Sequence, residues 1–252
     1  MAGRAVEAIL FDLGQTLLEF SKLRTSRLFA ISVRASYEWL KRQSQPVPFF
    51  LRYRLKHLFG LYLHLIYSTL TGNDFDSLEL LKGYGKRYGF TLSDQQYKEL
   101  NWIWYEPLSK VAFTAPNLKE TLSTLRAMGL KLGIVSNTFV NKDSLQRHLA
   151  QVGILDFFPV QLYTCDFPYR KPDPRIFLDA ARQIDVEPAR ILFVGDRLDT
   201  DIKGSIAAGM RPVFKRIHAN WHKTVPAGVI EIQKIADLPS VVQKLNVDTI
   251  KK

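Results

Sequence analysis

The chain has 252 residues, 46% of them hydrophobic, which suits one large α/β domain or a core with one insertion and excludes a globally disordered polymer. A single cysteine, Cys165, excludes an intrachain disulfide and fits a reducing compartment. The formal net charge of +11 keeps nucleic acid, an anionic membrane surface and anionic small substrates open as partners.

The start, Met1 to Glu7, carries charge and lacks the apolar stretch and cleavage site of a signal peptide. No apolar segment approaches the ~20 residues of a membrane-spanning helix. A cytoplasmic protein is the expectation. Residues 6–12 read as a buried strand ending at Asp12. Between Leu18 and Val111 no good strand is visible, and helical runs at 22–43, 49–70, 75–88 and 93–105 dominate, with breaks at "QPVP" and "TGND". A helical insertion at 18–111 is therefore expected, able to act as a lid. From residue 117 strands and helices alternate: a helix from Leu118 to Met128, a strand at 130–137, a helix from Asp143 to Val152, a weaker strand at 160–164 and a helix from Asp173 to Ile184. The strand "RILFVGD" (190–196), the helix at 201–210, the late strands "PVFKR" and "GVIEI" and a closing helix "LPSVVQKL" complete the chain.

Such alternation implies right-handed crossovers and a mostly parallel sheet, built from 1–17 and 112–252. Ligands of such sheets bind outside the carboxyl ends of the strands. The residues there are Asp12, Ser136-Asn137 and Gly195-Asp196. Asp12 and Asp196 suit a hard, oxygen-ligated ion such as Mg²⁺. Lys171, with hydroxyl and amide donors, suits a phosphate. A carboxylate can also act as a nucleophile and form an aspartyl-phosphate.

Four ordered segments carry a family resemblance. "FDLGQTL" resembles the first motif of the haloacid dehalogenase-like superfamily, usually D-x-D-x-[T/V]. "GIVSN" resembles the second, "RKPDPRIF" the third and "VGDRLDTDIKGSIAAGM" the fourth. The resemblance covers essentially the whole chain. It implies a doubly wound, Rossmann-like parallel sheet with an all-helical cap inserted after the first motif. It further implies a Mg²⁺-dependent phosphatase, with Asp12 as nucleophile and metal ligand. The carbonyl of Gly14, Asp196 and, through water, Asp201 would complete the metal site. Ser136 and Asn137 would hold phosphoryl oxygens, Lys171 would balance charge, and Thr16 would brace the loop after the first strand.

This sequence departs from the family pattern at position 14, where a glycine replaces the aspartate that serves as general acid/base. Losing such a group typically costs ~10²–10⁴ in rate. Three outcomes follow: substrates with good leaving groups such as sugar 1-phosphates or acyl phosphates, a substitute acid (Glu19, Gln15 or a cap lysine or histidine), or lost activity with binding retained. Dehalogenase chemistry on the same Asp12, and a weakly catalytic phosphoryl- or partner-binding protein, are the alternatives. The cap is basic between residues 20 and 71, with Glu38 its one acid, and its segment 49–70 is dense in aromatics and leucines. That wide apolar face offers a surface to a homodimer, a lipid-like phosphate or a membrane. Nucleic acid is not expected, because the aromatics lie inside a hydrophobic run rather than along a polar basic face.

Overall fold

The computed structural model of the chain describes residues 5–20 and 24–250, with side chains as far as residue 247. Arg4, Lys22 and the expected start of the first cap helix at residue 22 lie outside the described residues.

Strand β1 (Ala8–Phe11) is short, and every residue in it is buried. Its side chains alternate between two cores. Ile9 and Phe11 join Leu122, Leu125, Leu145 and Leu149 on one face. Ala8 and Leu10 join Ile176, Phe177 and Ala180 on the other. A strand covered on both faces must be apolar throughout, which is why this segment reads as an unbroken apolar run rather than an alternation.

Strand β2 (Glu19–Phe20) and strand β3 (Ala112–Phe113) pair antiparallel. The stretch expected to hold no strand therefore begins with one. Two residues are too few to carry an alternation, so the pairing leaves no pattern to read. The main sheet has six strands in the order β5 (Val160–Tyr163), β4 (Lys131–Ser136), β1, β6 (Ile191–Gly195), β7 (Arg211–Lys215) and β8 (Ile230–Ile232). All of its pairings are parallel. The chain order reverses between β1 and β6, so the crevice beyond their carboxyl ends is the topological switch point.

Helices α1 (Thr25–Arg42), α2 (Phe50–Thr71), α3 (Ser77–Tyr88) and α4 (Asp94–Ser109) lie between β2 and β3 in sequence. They share their own small core of Val33, Leu40, Tyr53, Leu78, Leu81, Tyr97 and Leu100. Helix α4 starts at a capping box of Ser93 and Gln96 and runs through Pro107 to Ser109, beyond the expected end at 105. Gly60 and Gly85 allow close approach inside this group. A Cβ on Gly60 would strike the Tyr84 hydroxyl, and one on Gly85 would strike that of Tyr97.

Helices α5 (Leu118–Ala127), α6 (Lys142–Gln151), α7 (Pro174–Ile184), α8 (Lys203–Ala207) and α9 (Leu238–Ile250) flank the sheet. A π-helical turn at Leu198–Ile202 leads into α8, so the helix expected at 201–210 starts earlier and is wider in its first turn. No helix among the described residues is long and apolar enough to cross a membrane.

Candidate active site

The site forms where β1, β4 and β6 end. Asp12 continues the β1 ladder by one bond, its N–H donating to the Val194 carbonyl at 2.8 Å. The chain then turns back at once. Leu18 N–H donates to Leu13 O at 2.9 Å and Gln15 N–H to Leu18 O at 2.7 Å, with Gln15 at φ 60°. Neither bond uses the Gly14 carbonyl. Lys215, a buried lysine at the end of β7, locks this loop: its Nζ donates to the carbonyls of Gln15 and Thr16 at 3.0 Å each and to Glu19 at 2.6 Å.

Lys171 is the centre of the site and is only 2% exposed. Its Nζ stands 2.6 Å from Asp12 Oδ1, 2.7 Å from Asp201 Oδ1 and 2.9 Å from the Val135 carbonyl. Its main chain is gripped by the Asn137 amide, which accepts from Lys171 N–H and donates to Lys171 O, both at 2.9 Å. Asn137 thus fixes the lysine with its side chain. Asp201 reaches the same point because Gly195 lacks a side chain: a Cβ there would lie 2.4 Å from Asp201 Oδ2. The Arg197 N–H donates to that same oxygen at 3.0 Å.

Carboxylate oxygens of Asp12, Asp196 and Asp201 lie within 4.8 Å of one another, and all three residues are buried. Burial is the main force on their charges. It pushes Asp12 up to about 6, with Lys171 opposing and Asp201 adding to the shift. It pushes Asp196 up to about 7, helped by Asp12 and Asp201. Burial works against the Lys171 cation too, but Asp12 and Asp201 outweigh it and raise its pKa. One ammonium faces three carboxylates, so the cluster carries an excess of negative charge that a divalent cation would neutralise. The donor set, oxygen only, fits Mg²⁺.

A cavity of about 460 Å³ lies over these groups, lined by Asp12, Gly14, Ser136, Asn137, Lys171 and Asp196 among others. It continues through Asn137, Thr138, Lys171, Arg197 and Thr200 into a cleft of about 780 Å³ that also holds Arg170 and Arg175. Arg170 ties the end of α2 and the segment after it to the loop before α7, donating to Ser68 at 2.8 Å and to Asp74 at 2.9 Å.

Of the residues singled out from sequence, Asp12, Gly14, Ser136, Asn137, Lys171, Asp196 and Asp201 all line this cavity. Thr16 does not. It is buried in the loop, and its hydroxyl has no hydrogen-bond partner among the described residues. Asp199, read as a first-turn acid, pairs with Arg197 at 2.8 Å. Asp173 caps α7 by accepting from Arg175 N–H at 3.0 Å. The Cys165 thiol is pushed up by burial, with Asp166 adding to the shift. Three contributors escaped the sequence reading: Lys215, Arg170 and Asn220, whose amide donates to the Asp196 carbonyl at 2.8 Å. Lys215 had a visible signal, a lysine at the end of an apolar strand.

Of the substitute acids proposed for position 14, Glu19 and the two histidines of the helical segment are otherwise engaged, whereas Gln15 lines the cavity. Glu19 is paired with Lys215. His57 lies in an aromatic cage, its ring 4.0 Å from Tyr53 and 4.4 Å from Tyr84, and burial lowers its pKa to about 4. His64 holds the Gly60 carbonyl at 2.7 Å. Among the described residues, the carboxylates lining the cavity belong to Asp12, Asp196 and Asp201.

The chain belongs to the haloacid dehalogenase-like hydrolase family, whose model matches residues 6–209. A glyceraldehyde 3-phosphate phosphatase of Methanopyrus kandleri is 35% identical over 139 residues, covering 53% of this chain and 58% of that protein. The match thus spans little more than half of that relative's length. A protein of the same name from Pyrococcus abyssi is 26% identical over 257 residues, covering 96% of this chain and 95% of its own. Among solved structures, a HAD phosphatase of Thermococcus onnurineus shares the fold at a TM-score of 0.59, with 24% identity over 94% of this chain and 98% of its own.

Proposed function

We propose that this hydrolase is a Mg²⁺-dependent phosphatase of small phosphomonoesters, with Asp12 as nucleophile and the helices of residues 18–111 as its cap. The observation that carries the reading is the Asp12–Lys171–Asp201 cluster beside Asp196, a buried carboxylate held at 2.6 Å from a cation with two further acids in reach. Asp12, Asp196, Asp201 and the Gly14 carbonyl are the groups that would hold the ion. When bound, Mg²⁺ supplies positive charge that lets an anionic phosphate approach an anionic nucleophile.

The chain's own residues then do the following. Lys171 keeps the Asp12 carboxylate charged and aimed at the cavity, and offers a positive charge to the phosphoryl oxygens. Ser136, at the end of β4, and the main chain at Asn137 supply donors to those oxygens. An Asp12 oxygen attacks phosphorus, a P–O bond to Asp12 forms and the bond to the leaving oxygen breaks. Water then attacks the phosphoaspartate, releasing inorganic phosphate and restoring the carboxylate. Gly14 gives no proton to the leaving oxygen, so substrates whose leaving group needs none are favoured. Sugar 1-phosphates and acyl phosphates are of this kind. The phosphatase names of both relatives support phosphoryl chemistry. Halide displacement by Asp12 would not call for a second and third carboxylate, which is why the dehalogenase reading ranks below it.

A panel of phosphorylated metabolites, with and without Mg²⁺, tests the reading through release of inorganic phosphate. Turnover that needs Mg²⁺ and disappears in Asp12→Asn is expected. Release of chloride from a 2-haloacid without Mg²⁺ would overturn it.

A further inference from the structure

Helix α2 touches the rest of the protein along one narrow stripe, where its buried residues are Tyr53, His57 and Ser68. The opposite stripe, Leu51, Leu55, Phe59, Tyr62, Ile66 and Leu70, is exposed, from 39% at Ile66 to 81% at Leu70. The steps of three and four residues place these side chains on one face of the helix. Leu58 and Leu63 widen it. At 22 residues the helix is ~33 Å long, and an apolar side of that length in contact with water marks a surface that meets something else.

The charge of this part of the chain narrows the occupant. Residues 24–73 carry Arg24, Arg27, Arg34, Lys41, Arg42, Arg52, Arg54 and Lys56 against the single acid Glu38. None of these eight cations forms an ion pair among the described residues. Elsewhere many are neutralised, as with Lys171, Lys215, Arg147 and Arg190. A groove of about 470 Å³ between α2 and α3 combines both features: Leu55, Phe59 and Leu63 form an apolar floor, and Arg52, Lys56 and Arg87 a basic rim. A second copy of the chain fits this surface poorly. A two-fold interface would set each unpaired cationic set against its own image, with no acids to answer it. An anionic lipid surface answers both the apolar face and the charge. Because no described helix can cross a bilayer, α2 would lie in the plane of the interface.

We propose that the outer face of α2, with Arg52 and Lys56 of the same helix and Arg87 of α3, docks on an anionic membrane surface. Ser68, Thr69 and Thr71, at the end of α2, line the 780 Å³ cleft that leads to Lys171, and Ser68 belongs to the buried stripe rather than to the docking face.

Flotation of the purified full chain with vesicles tests this without any assumption about catalysis. The vesicles are of phosphatidylcholine alone, or of phosphatidylcholine with phosphatidylserine. The wild-type chain is expected to float with the anionic vesicles only, and less so as salt rises. Arg52→Glu with Lys56→Glu, and separately Phe59→Ser with Tyr62→Ser, are expected to lower the bound fraction at least about tenfold, with circular dichroism melts unchanged. Binding by variants equal to that of wild type would overturn the proposal, as would no flotation with anionic vesicles. Light scattering that shows a wild-type dimer, converted to monomer by Phe59→Ser with Tyr62→Ser, would assign the face to a second copy instead.

Discussion

The Lys171 ammonium stands 2.6 Å from the Asp12 carboxylate, although the two lie 159 residues apart in the chain. Both are buried, and the Asn137 amide fixes the main chain that carries the lysine. This pair sets the electrostatics of the site, and the first prediction concerns it.

Lys171→Met leaves Asp12 and Asp201 facing each other without a cation. Breaking a buried pair from one side costs ~3–5 kcal/mol. Chemical denaturation in chelator is expected to show a loss of that order, larger at alkaline than at acid pH, with turnover of any phosphomonoester abolished. Unchanged stability at both pH values would show that the carboxylates are not coupled through the lysine.

The raised carboxyl groups predict a pH dependence of opposite sign to the usual one. Asp12 and Asp196 titrate at about 6 and about 7 in the folded chain, above the ordinary value of 3.8. Their contribution to stability is therefore complete below the unfolded value and is lost as pH rises through the folded values. In chelator, the melting temperature of wild type is expected to fall relative to Asp196→Asn as pH rises from about 4 to about 7. Millimolar Mg²⁺ should cancel that fall.

The buried histidine His57 acts on the acid side. Burial lowers it to about 4 from 6.5, so the unfolded chain takes up a proton that the folded chain refuses. Stability is full above the unfolded value and falls as pH drops towards the folded one. His57→Phe, which keeps the ring between Tyr53, Tyr84 and Trp104, is expected to flatten the melting temperature between those two pH values. An unchanged acid slope would remove His57 from the account.

Gly14 has room for the side chain it lacks. Among the described residues a Cβ there meets only Phe20 Cε2, at 4.0 Å. Gly14→Asp is expected to raise turnover of alkyl phosphates by ~10²-fold or more, while substrates with good leaving groups gain little. Steady-state rates on paired substrates decide this, and an equal effect on both would deny that the missing acid limits the enzyme.

Gly195→Ala should do the reverse, by steric means. Its Cβ would lie 2.4–2.5 Å from the Asp201 carboxyl, which must move away from Lys171. A destabilisation of ~1–3 kcal/mol is expected, with weakened Mg²⁺ binding by calorimetry.

Much of the site was legible because its residues sit where apolar runs stop. Asp12 and Asp196 each follow, and Ser136 ends, a strand buried on both faces, and such a strand announces itself and its end. The α/β order and the run of helices at 25–109 were legible for a similar reason, since helical spacing persists over many residues. The β2–β3 pair was not, because two-residue strands have no period. The work of Asn137 and Lys215 was hidden for another reason. A sequence shows that an amide or a lysine is present, but not that 34 residues later it will clamp another main chain or, across the sheet, tie down Gln15 and Thr16. Thr16, given a bracing role by its place in a motif, is held in the loop through its carbonyl by Lys215, a contact its hydroxyl does not make.

The most direct test of the central claim is chemical trapping of the nucleophile. Wild-type protein is mixed with Mg²⁺ and a radiolabelled acyl phosphate, quenched in acid, and the labelled peptide sequenced. Label on Asp12, absent from Asp12→Asn and lost on treatment with hydroxylamine, is the predicted result. Phosphate release at the wild-type rate by Asp12→Asn, or label on any other residue, would contradict it.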